Sequence, residues 1–333
     1  MASIIEIQNL TKQYRGQYGP KAVDNLNLTV EEGDIFGFVG PNGAGNTSTI
    51  RIMSTLLGAT AGDIRVAGFS ILHQPRKVRK VIGYMPDFFG VYNDMLVWEY
   101  LDFFGSCYHI PSHDRANLIK DLLELVDLSH RRNDPVESLS RGMKQRLSLA
   151  RTLIHDPQVL ILDEPASGLD PRARIEIRQL LVELAHLGKT IFFSTHILAD
   201  VAEICTRVGI MEAGQMVAAG PLEQLGQILL PHRTIHITIL DQADAAVTII
   251  KQAAGVQNIV IQSEKGAYQH ADSLDGDQNN RRVRLLLEYI GDDQALSGLL
   301  ATLVNSGIPL LHFNEDTRDM EEVFLRATRG MVT

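Results

Sequence analysis

The first two thirds of the chain alternate between short apolar runs and segments in which apolar residues recur with helical spacing. The clearest apolar runs of strand length are 35–39, 158–165 and 189–196. Segments 47–57 and 172–188 have apolar residues every three or four positions, which predicts helices that stop at Gly58 and Gly188. Strands that alternate with helices predict a mainly parallel sheet with helices on both faces.

The pattern changes near Pro221, and the last third predicts a second, smaller domain. Its strands are expected at 233–240, 256–262, 282–290 and 308–313, and its helices at 241–254, 292–305 and 317–327. Residues 263–281 are polar and rich in Gly, Asp and Asn, which predicts a mobile loop. The β-α-β-β-α-β order is that of a ferredoxin-like α+β module. We therefore place a first domain at 1–222, with a helical part at about 93–155, and a second at 223–333.

The composition and charge of the chain limit the classes of partner that it can bind. The chain has 333 residues, 45% of them hydrophobic, which is enough for two cores. A net charge of −9 argues against nucleic acid as a partner. Cys107 and Cys205 lack metal-site spacing and are expected to be reduced thiols. No signal peptide or bilayer-spanning run is evident, so a membrane role would need another, membrane-spanning chain.

The segment GPNGAGNTST (40–49) follows the first buried run and resembles a phosphate-binding loop. That pattern is Gly, four residues, Gly, Lys and Ser or Thr, and Gly40, Gly45 and Thr47 fit it. Gly43 adds flexibility, and the Thr47 hydroxyl could reach Mg²⁺. The N-terminus of the following helix would point at bound phosphate. Asn46, however, stands where the pattern has lysine, and a plain glycine turn remains the alternative.

Three further stretches carry groups that suit nucleotide chemistry. In LILDEP, an apolar run is followed directly by Asp163 and Glu164. Asp163 could hold Mg²⁺, and Glu164 could polarise an attacking water. FFSTH places His196 at another strand end, within reach of a γ-phosphate. SLSRGMKQRLSLARTL (138–153) starts with a serine cap and a glycine turn, so its helix N-terminus offers a second anion site.

The order and spacing of these pieces resemble the ATP-binding subunit of an ABC transporter over about residues 3–220. The resemblance implies a P-loop NTPase cassette with a mixed sheet and a helical signature subdomain, and ATP and Mg²⁺ as cofactors. It implies nucleotide contacts at Tyr14, Gly40, Asn42, Gly43, Ala44, Gly45, Asn46, Thr47, Ser48, Ser140, Gly142 and Asp170. It implies catalytic roles for Glu164, His196 and Asp87, and Mg²⁺ contacts at Thr47, Asp163 and Asp87. The C-terminal DMEEVFLRATRG (319–330) resembles the tail of the drug- and antibiotic-export branch, and this analogy implies that the domain at 223–333 serves dimer contact or regulation of closure.

Three residues depart from the family pattern. Asn46 replaces a lysine whose charge would be worth about 4 kcal/mol against one phosphate charge at ~4 Å. We therefore expect weak nucleotide affinity and slow hydrolysis, with a harmless substitution as the alternative. Asp87 replaces the usual glutamine and adds negative charge near the γ-phosphate. Arg141 stands where glycine is commoner and is expected to point at phosphate or solvent without effect.

Three functional hypotheses follow. The first is a transporter motor: a homodimer or heterodimer of ATP-binding subunits, peripheral on the cytoplasmic face, that drives a membrane permease, with export favoured. The second is a nucleotide-gated subunit with little turnover because of Asn46. The third, a protein acting on ribosomes or DNA, is disfavoured by the single set of motifs and the acidic balance. Retention of Asp163, Glu164 and His196 suggests that Asn46 is recent, engineered or compensated. The scattered His232, His236 and His270 are more readily explained as solvated residues than as a metal site.

Overall fold

The computed structural model describes residues 2–14, 19–87, 90, 94–229, 233–263, 282–315, 324, 327 and 328. The chain forms two compact units, Met1–Leu222 with Phe324–Thr333, and Glu223–Val323. The proposed domains, 1–222 and 223–333, have the same division point and differ from these units in the C-terminal segment. The predicted helix at 317–327 and most of the predicted loop at 263–281 lie outside the described residues.

The first unit contains two sheets. Its strands are β1 Ser3–Gln13, β2 Lys21–Glu31, β3 Ile35–Val39, β4 Ala61–Val66, β5 Phe69–Ser70, β6 Ile82–Met85, β7 Val159–Asp163, β8 Thr190–Thr195, β9 Arg207–Glu212 and β10 Gln215–Pro221. The larger sheet has the order β10-β9-β3-β8-β7-β6 and is parallel except for β10. The smaller one, β2-β1-β4-β5, is antiparallel. The larger sheet confirms the predicted mainly parallel arrangement.

The helices of the first unit lie between these strands in sequence. They are α1 Asn46–Met53, α2 Pro75–Val81, α3 Val97–Cys107, α4 Ser112–Leu125, α5 Arg141–Leu153, α6 Pro171–His186 and α7 Leu198–Ile204, and α8 Leu222–Leu229 follows β10. The prediction that the first helix stops at Gly58 is wrong, because α1 already ends at Met53. Thr55 adopts a left-handed conformation, and the N–H groups of Leu56 and Leu57 both donate to the Arg51 carbonyl. These bonds close the helix one turn earlier than the glycine would.

Buried strands in the middle of the larger sheet separate two hydrophobic cores. Every residue of β3, β7 and β8 is buried. Along β7, Leu160 and Leu162 pack with the helical part, whereas Val159 and Ile161 pack toward α1 and the smaller sheet. The two-residue repeat of a strand explains this division. Because β3, β7 and β8 are parallel neighbours, their carboxyl ends meet at one edge, where the site lies.

The second unit has the predicted β-α-β-β-α-β order. Its elements are β11 Arg233–Leu240, α9 Ala243–Gln252, β12 Val256–Ser263, β13 Arg282–Tyr289, α10 Asp293–Asn305 and β14 Leu310–Glu315. The strands form an antiparallel sheet in the order β12-β13-β11-β14. Alternate residues of β11, Ile235, Ile237 and Ile239, pack with both helices in one core. In neither unit does a described helix have the length and apolar character that a bilayer crossing requires.

Candidate functional site

The phosphate-loop segment connects β3 to α1 at the carboxyl edge of the larger sheet. Gly43 and Gly45 both have positive φ, 87° and 108°, and Gly45 is the N-cap of α1. A Cβ on Gly45 would overlap the carbonyl oxygen of Ala22, so a side chain is excluded there. The loop borders a cavity of about 220 Å³ together with Ala22, Glu164 and Ser194. The loop thus borders a polar cavity, which is the setting that phosphate binding by backbone N–H groups requires.

Asn46 is the first residue of α1 and lines this cavity. Its Oδ1 atom is buried and has no hydrogen-bond partner in the described part of the chain. The amide carries no charge, and an acceptor oxygen offers nothing to a phosphate oxygen. The position that family members use for a cation is therefore occupied here by a neutral side chain with an unsatisfied acceptor.

Asp163 ends β7 and is 2% exposed. Ser194 donates a hydrogen bond from Oγ to Asp163 Oδ1 at 2.7 Å, and the Thr47 hydroxyl lies near enough to this carboxylate to lower its pKa slightly. Burial raises the pKa of Asp163, and the negative charge of Asp87 raises it further, against the lowering effect of Ser194 and Arg51. A buried carboxylate beside a threonine hydroxyl is a donor set that fits Mg²⁺.

Glu164 follows directly and adopts a left-handed conformation with φ 52°. Its N–H donates to the backbone oxygen and the Oγ of Ser194, each at 3.2 Å, which fixes this bend. His196 Nδ1 lies 2.9 Å from Glu164 Oε1, so Nδ1 carries the shared proton. Burial raises the pKa of Glu164, and the hydrogen bond from His196 opposes that rise. A carboxylate of raised basicity, held by a histidine, suits a general base.

Asp87 and Tyr14 also lie close to this group. Asp87 is exposed just after β6, and its charge contributes to the raised pKa of both Asp163 and Glu164. The Tyr14 hydroxyl is 3.2 Å from Ser48 Oγ, and Lys12 Nζ lies 5.1 Å from the centre of the tyrosine ring. The exposed tyrosine ring therefore lies beside the loop, where a nucleotide base could stack on it.

The remaining predicted contacts form a separate group at the N-termini of α5 and α6. Ser140 caps α5 by accepting from Met143 N at 3.3 Å, and Asp170 caps α6 by accepting from Ala173 N at 3.0 Å. Gly142 brings the helices together, because a Cβ there would lie 3.0 Å from Ala173 Cβ. The residues that line the 220 Å³ cavity include none of Ser140, Gly142 and Asp170. One copy of the described chain thus separates the predicted nucleotide contacts into two groups.

Arg141 is exposed, and its guanidinium contacts the loop that follows Glu164 instead of phosphate or solvent alone. Its Nη2 donates to the Ser167 carbonyl at 3.1 Å. The guanidinium lies so close to Gly168 that a Cβ there would overlap it, and Gly168 already has φ 66°. Gln145 donates to the Pro165 carbonyl at 2.8 Å. The start of α5 is therefore tied at two points to the loop that follows Glu164.

Ser194 was missed by the sequence reasoning, although it contacts both acids. Its only signal was its place at the end of FFST, two residues before His196. A serine in that position has no sequence signature of its own, so its role became visible only when β7 and β8 were paired. It holds Asp163 through Oγ and Glu164 through the backbone.

Replacing Asp163 by asparagine is expected to raise the melting temperature at neutral pH. Burial raises the pKa of Asp163 above its ordinary value of 3.8, so the ionised form is less favourable in the folded state. Below pH 3.8, the Asp163 carboxyl is protonated in both the folded and the unfolded state, and its contribution to the free energy of unfolding is fully present. This contribution is lost as the pH rises through the raised pKa of the folded state. The gain in melting temperature of Asp163→Asn should therefore shrink as pH falls through this window. The exposed Asp121→Asn is the control, and an equal gain in both variants would contradict the argument.

Comparison with known proteins agrees with this geometry. Residues 23–167, which include the loop and both acids, match the family described as ABC transporter. The bacitracin transport ATP-binding protein BcrA of Bacillus licheniformis is 32% identical over 331 residues, 99% of each chain. The Nod factor export ATP-binding protein I of Burkholderia lata is 32% identical over 325 residues, 97% of this chain and 96% of that one.

A solved structure shows the same architecture for the first unit. It is cbiO1 from Clostridium perfringens, described as part of the ABC transporter complex cbiONQ. It is 27% identical, with a TM-score of 0.61, and the match covers 68% of this chain and 91% of that chain. The likeness in fold, the family match across the phosphate loop and the relatives that span nearly the whole chain lead to one conclusion. This chain belongs to the family of ABC transporter ATP-binding proteins.

Proposed function

We propose that this chain is the ATP-binding subunit of an exporter, which binds and hydrolyses ATP to drive a separate membrane permease. The observation that carries the proposal is the group of Asp163, Glu164, Ser194 and His196 beside the phosphate loop, in which Asp163 and Ser194 are buried. A site that only bound nucleotide would have no need of a base with a raised pKa held by a histidine. BcrA is named for bacitracin transport and the other relative for Nod factor export, and these names support export as the direction of transport.

The proposal assigns a task to each group of side chains. Backbone N–H groups of the loop bind the phosphates, and the Tyr14 ring stacks on the base. Thr47 and Asp163 would hold Mg²⁺, with Asp87 nearby; the ion neutralises phosphate charge when bound. Glu164 takes a proton from the attacking water, and His196 orients the Glu164 carboxylate.

A second copy or a similar subunit completes the site. Ser140, Gly142 and Asp170 lie outside the cavity of their own chain, which supports their acting on nucleotide bound to another. Two subunits, identical or not, would then close face to face around ATP and transmit that closure to the permease. The place of such a subunit is the cytoplasmic face of the membrane.

Asn46 favours a second candidate, a nucleotide-gated subunit with little turnover. In this version, ATP binding closes the two subunits, and dissociation of ATP lets them open again. Hydrolysis contributes little to this cycle. The same contacts support both versions, and they differ in the rate of the chemical step alone.

Titration of the purified chain with a fluorescent ATP analogue tests the proposal. Saturable binding that is stronger with Mg²⁺ is expected, and Thr47→Ala should lose the Mg²⁺-dependent part because the hydroxyl is gone. Ser112→Ala, which also removes an exposed hydroxyl, is the matched control. A folded chain that binds no nucleotide, either as wild type or as Asn46→Lys, would contradict both versions.

A further inference from the structure

The strand β12 forms one edge of the sheet in the second unit, with β13 on its inner side. No described strand pairs with its outer side. Val260 is 42% exposed and Ile261 is 51% exposed, so aliphatic surface accompanies the unpaired backbone groups. Such an edge is a template for another strand.

From Asn258 onward, the edge lacks the features that usually prevent strand pairing, because the irregularity in the pairing of β12 with β13 lies between Val256 and Asn258. Natural edge strands carry charged residues, proline or bulges that block a neighbour. The sequence VQNIVIQS (256–263) contains neither a charged residue nor a proline. The opposite edge, β14, carries Glu315, which accepts a hydrogen bond from Arg233 Nε at 2.8 Å. Of the two edges, β12 is the one open to pairing.

The pattern of β12 is complementary to itself. Isoleucines flank Val260 on both sides, with polar residues beyond them. In an antiparallel pair centred on Val260, this valine lies opposite its own copy, and Ile259 lies opposite Ile261. All these pairs join β-branched aliphatic residues, which favour strands and pack well across them. A two-fold axis produces this arrangement, as in an isologous dimer.

The segment that follows β12 is less suited to occupy the edge. Residues 264–281, EKGAYQHADSLDGDQNNR, are rich in Gly, Asp and Asn, which are depleted in strands. The segment also carries charged residues, which have no complementary charge on β12. A second β12 offers a better match in both strand propensity and apolar surface.

We propose that β12 pairs with β12 of a second copy around Val260, which joins two four-stranded sheets into one. This goes beyond the proposed ATP-driven motor, because the contact needs no nucleotide and uses no residue of the nucleotide site. It implies that the subunits are held together through their second units while their nucleotide sites are empty. It also favours two identical subunits over two different ones.

Cysteine cross-linking of the nucleotide-free full chain tests the pairing. Cys107→Ser removes the exposed native thiol and serves as background, and its own cross-linking through the partly exposed Cys205 sets the baseline. Val260→Cys should form a covalent dimer under mild oxidation, because Cβ atoms directly opposite across strands are ~4.5–5.5 Å apart. Leu311→Cys on β14, with a similar exposure of 39%, is the matched control and should form no covalent dimer.

Sedimentation velocity on uncross-linked protein provides the second readout. Val260→Lys should raise the dissociation constant of the nucleotide-free dimer at least about tenfold. Leu311→Lys should leave this dissociation constant unchanged. Cross-linking of Val260→Cys no faster than that of Leu311→Cys overturns the proposal. So does cross-linking that occurs only with Mg²⁺ and ATP, because the contact would then follow from closure of the nucleotide sites. Failure to bind nucleotide would leave this result unchanged and would count only against the proposed motor.

Discussion

Replacing Asn46 by lysine is expected to raise the rate of ATP hydrolysis at least tenfold and to tighten nucleotide binding. The cavity beside the loop has a neutral amide where a cation would meet the β- and γ-phosphates. Loss of one preorganised donor to a transition state typically slows a reaction by ~10²–10³. The other residues proposed for the chemistry, Asp163, Glu164 and His196, are in place, so one restored charge should recover much of the rate. Steady-state phosphate release, with the permease present, measures this.

The contribution of charge can be separated from that of length. Asn46→Met has nearly the length of lysine without its charge and is the matched control. If Lys speeds hydrolysis and Met does not, the charge is responsible, and the wild-type chain works mainly as a nucleotide-gated clamp. Equal rates for wild type and Asn46→Lys would mean that the lysine is dispensable here, and the expectation of slow hydrolysis would be wrong.

Glu164→Gln is expected to slow hydrolysis by roughly 10²–10⁴, the usual contribution of a general base, while nucleotide binding stays intact. The amide oxygen of the substituted side chain can still accept the hydrogen bond from His196, so geometry is conserved and basicity is lost. The measurement is best made in the Asn46→Lys background, where the starting rate is higher. Exposed Glu183→Gln is the control.

The pH dependence gives an independent check on the same residue. Burial raises the pKa of Glu164 above its ordinary value of 4.5, and a base acts only when ionised. The hydrolysis rate should therefore fall as pH drops through that raised pKa, and this limb should be absent from Glu164→Gln. A Glu164→Gln variant that keeps the full rate and the same pH profile would remove the base from the mechanism.

The parts of the site that sequence could predict are those built by neighbouring residues. The loop from Gly40 to Ser48, with its preceding strand at 35–39, depends on local glycine positions and one apolar run. Asp163 and Glu164 were recognised because they end an apolar run in the same short segment. Each of these features lies within one short continuous segment, so it can be recognised without knowledge of the tertiary contacts.

The parts that sequence did not predict depend on hydrogen bonds and strand pairing that no residue pattern signals, some of them local and some between distant segments. The helix end at Ser54 depends on local hydrogen bonds that overrule the glycine signal at Gly58. Ser194 acquires its role only when β8 lies beside β7. Arg141 reads as an unimportant surface residue until α5 is placed against the loop at Ser167. Likewise, β9 and β10 were not assigned, although their pairing completes the larger sheet.

The contact between Arg141 and Gly168 also bears on which substitutions the loop after Glu164 tolerates. A side chain at position 168 would meet the Arg141 guanidinium, but that group is the end of an exposed, flexible side chain and can move away. The left-handed backbone at Gly168, with φ 66°, cannot be relieved in that way. Variation at position 168 is therefore limited by the backbone conformation and not by the neighbouring arginine, and asparagine, which tolerates that conformation, should be the least costly replacement.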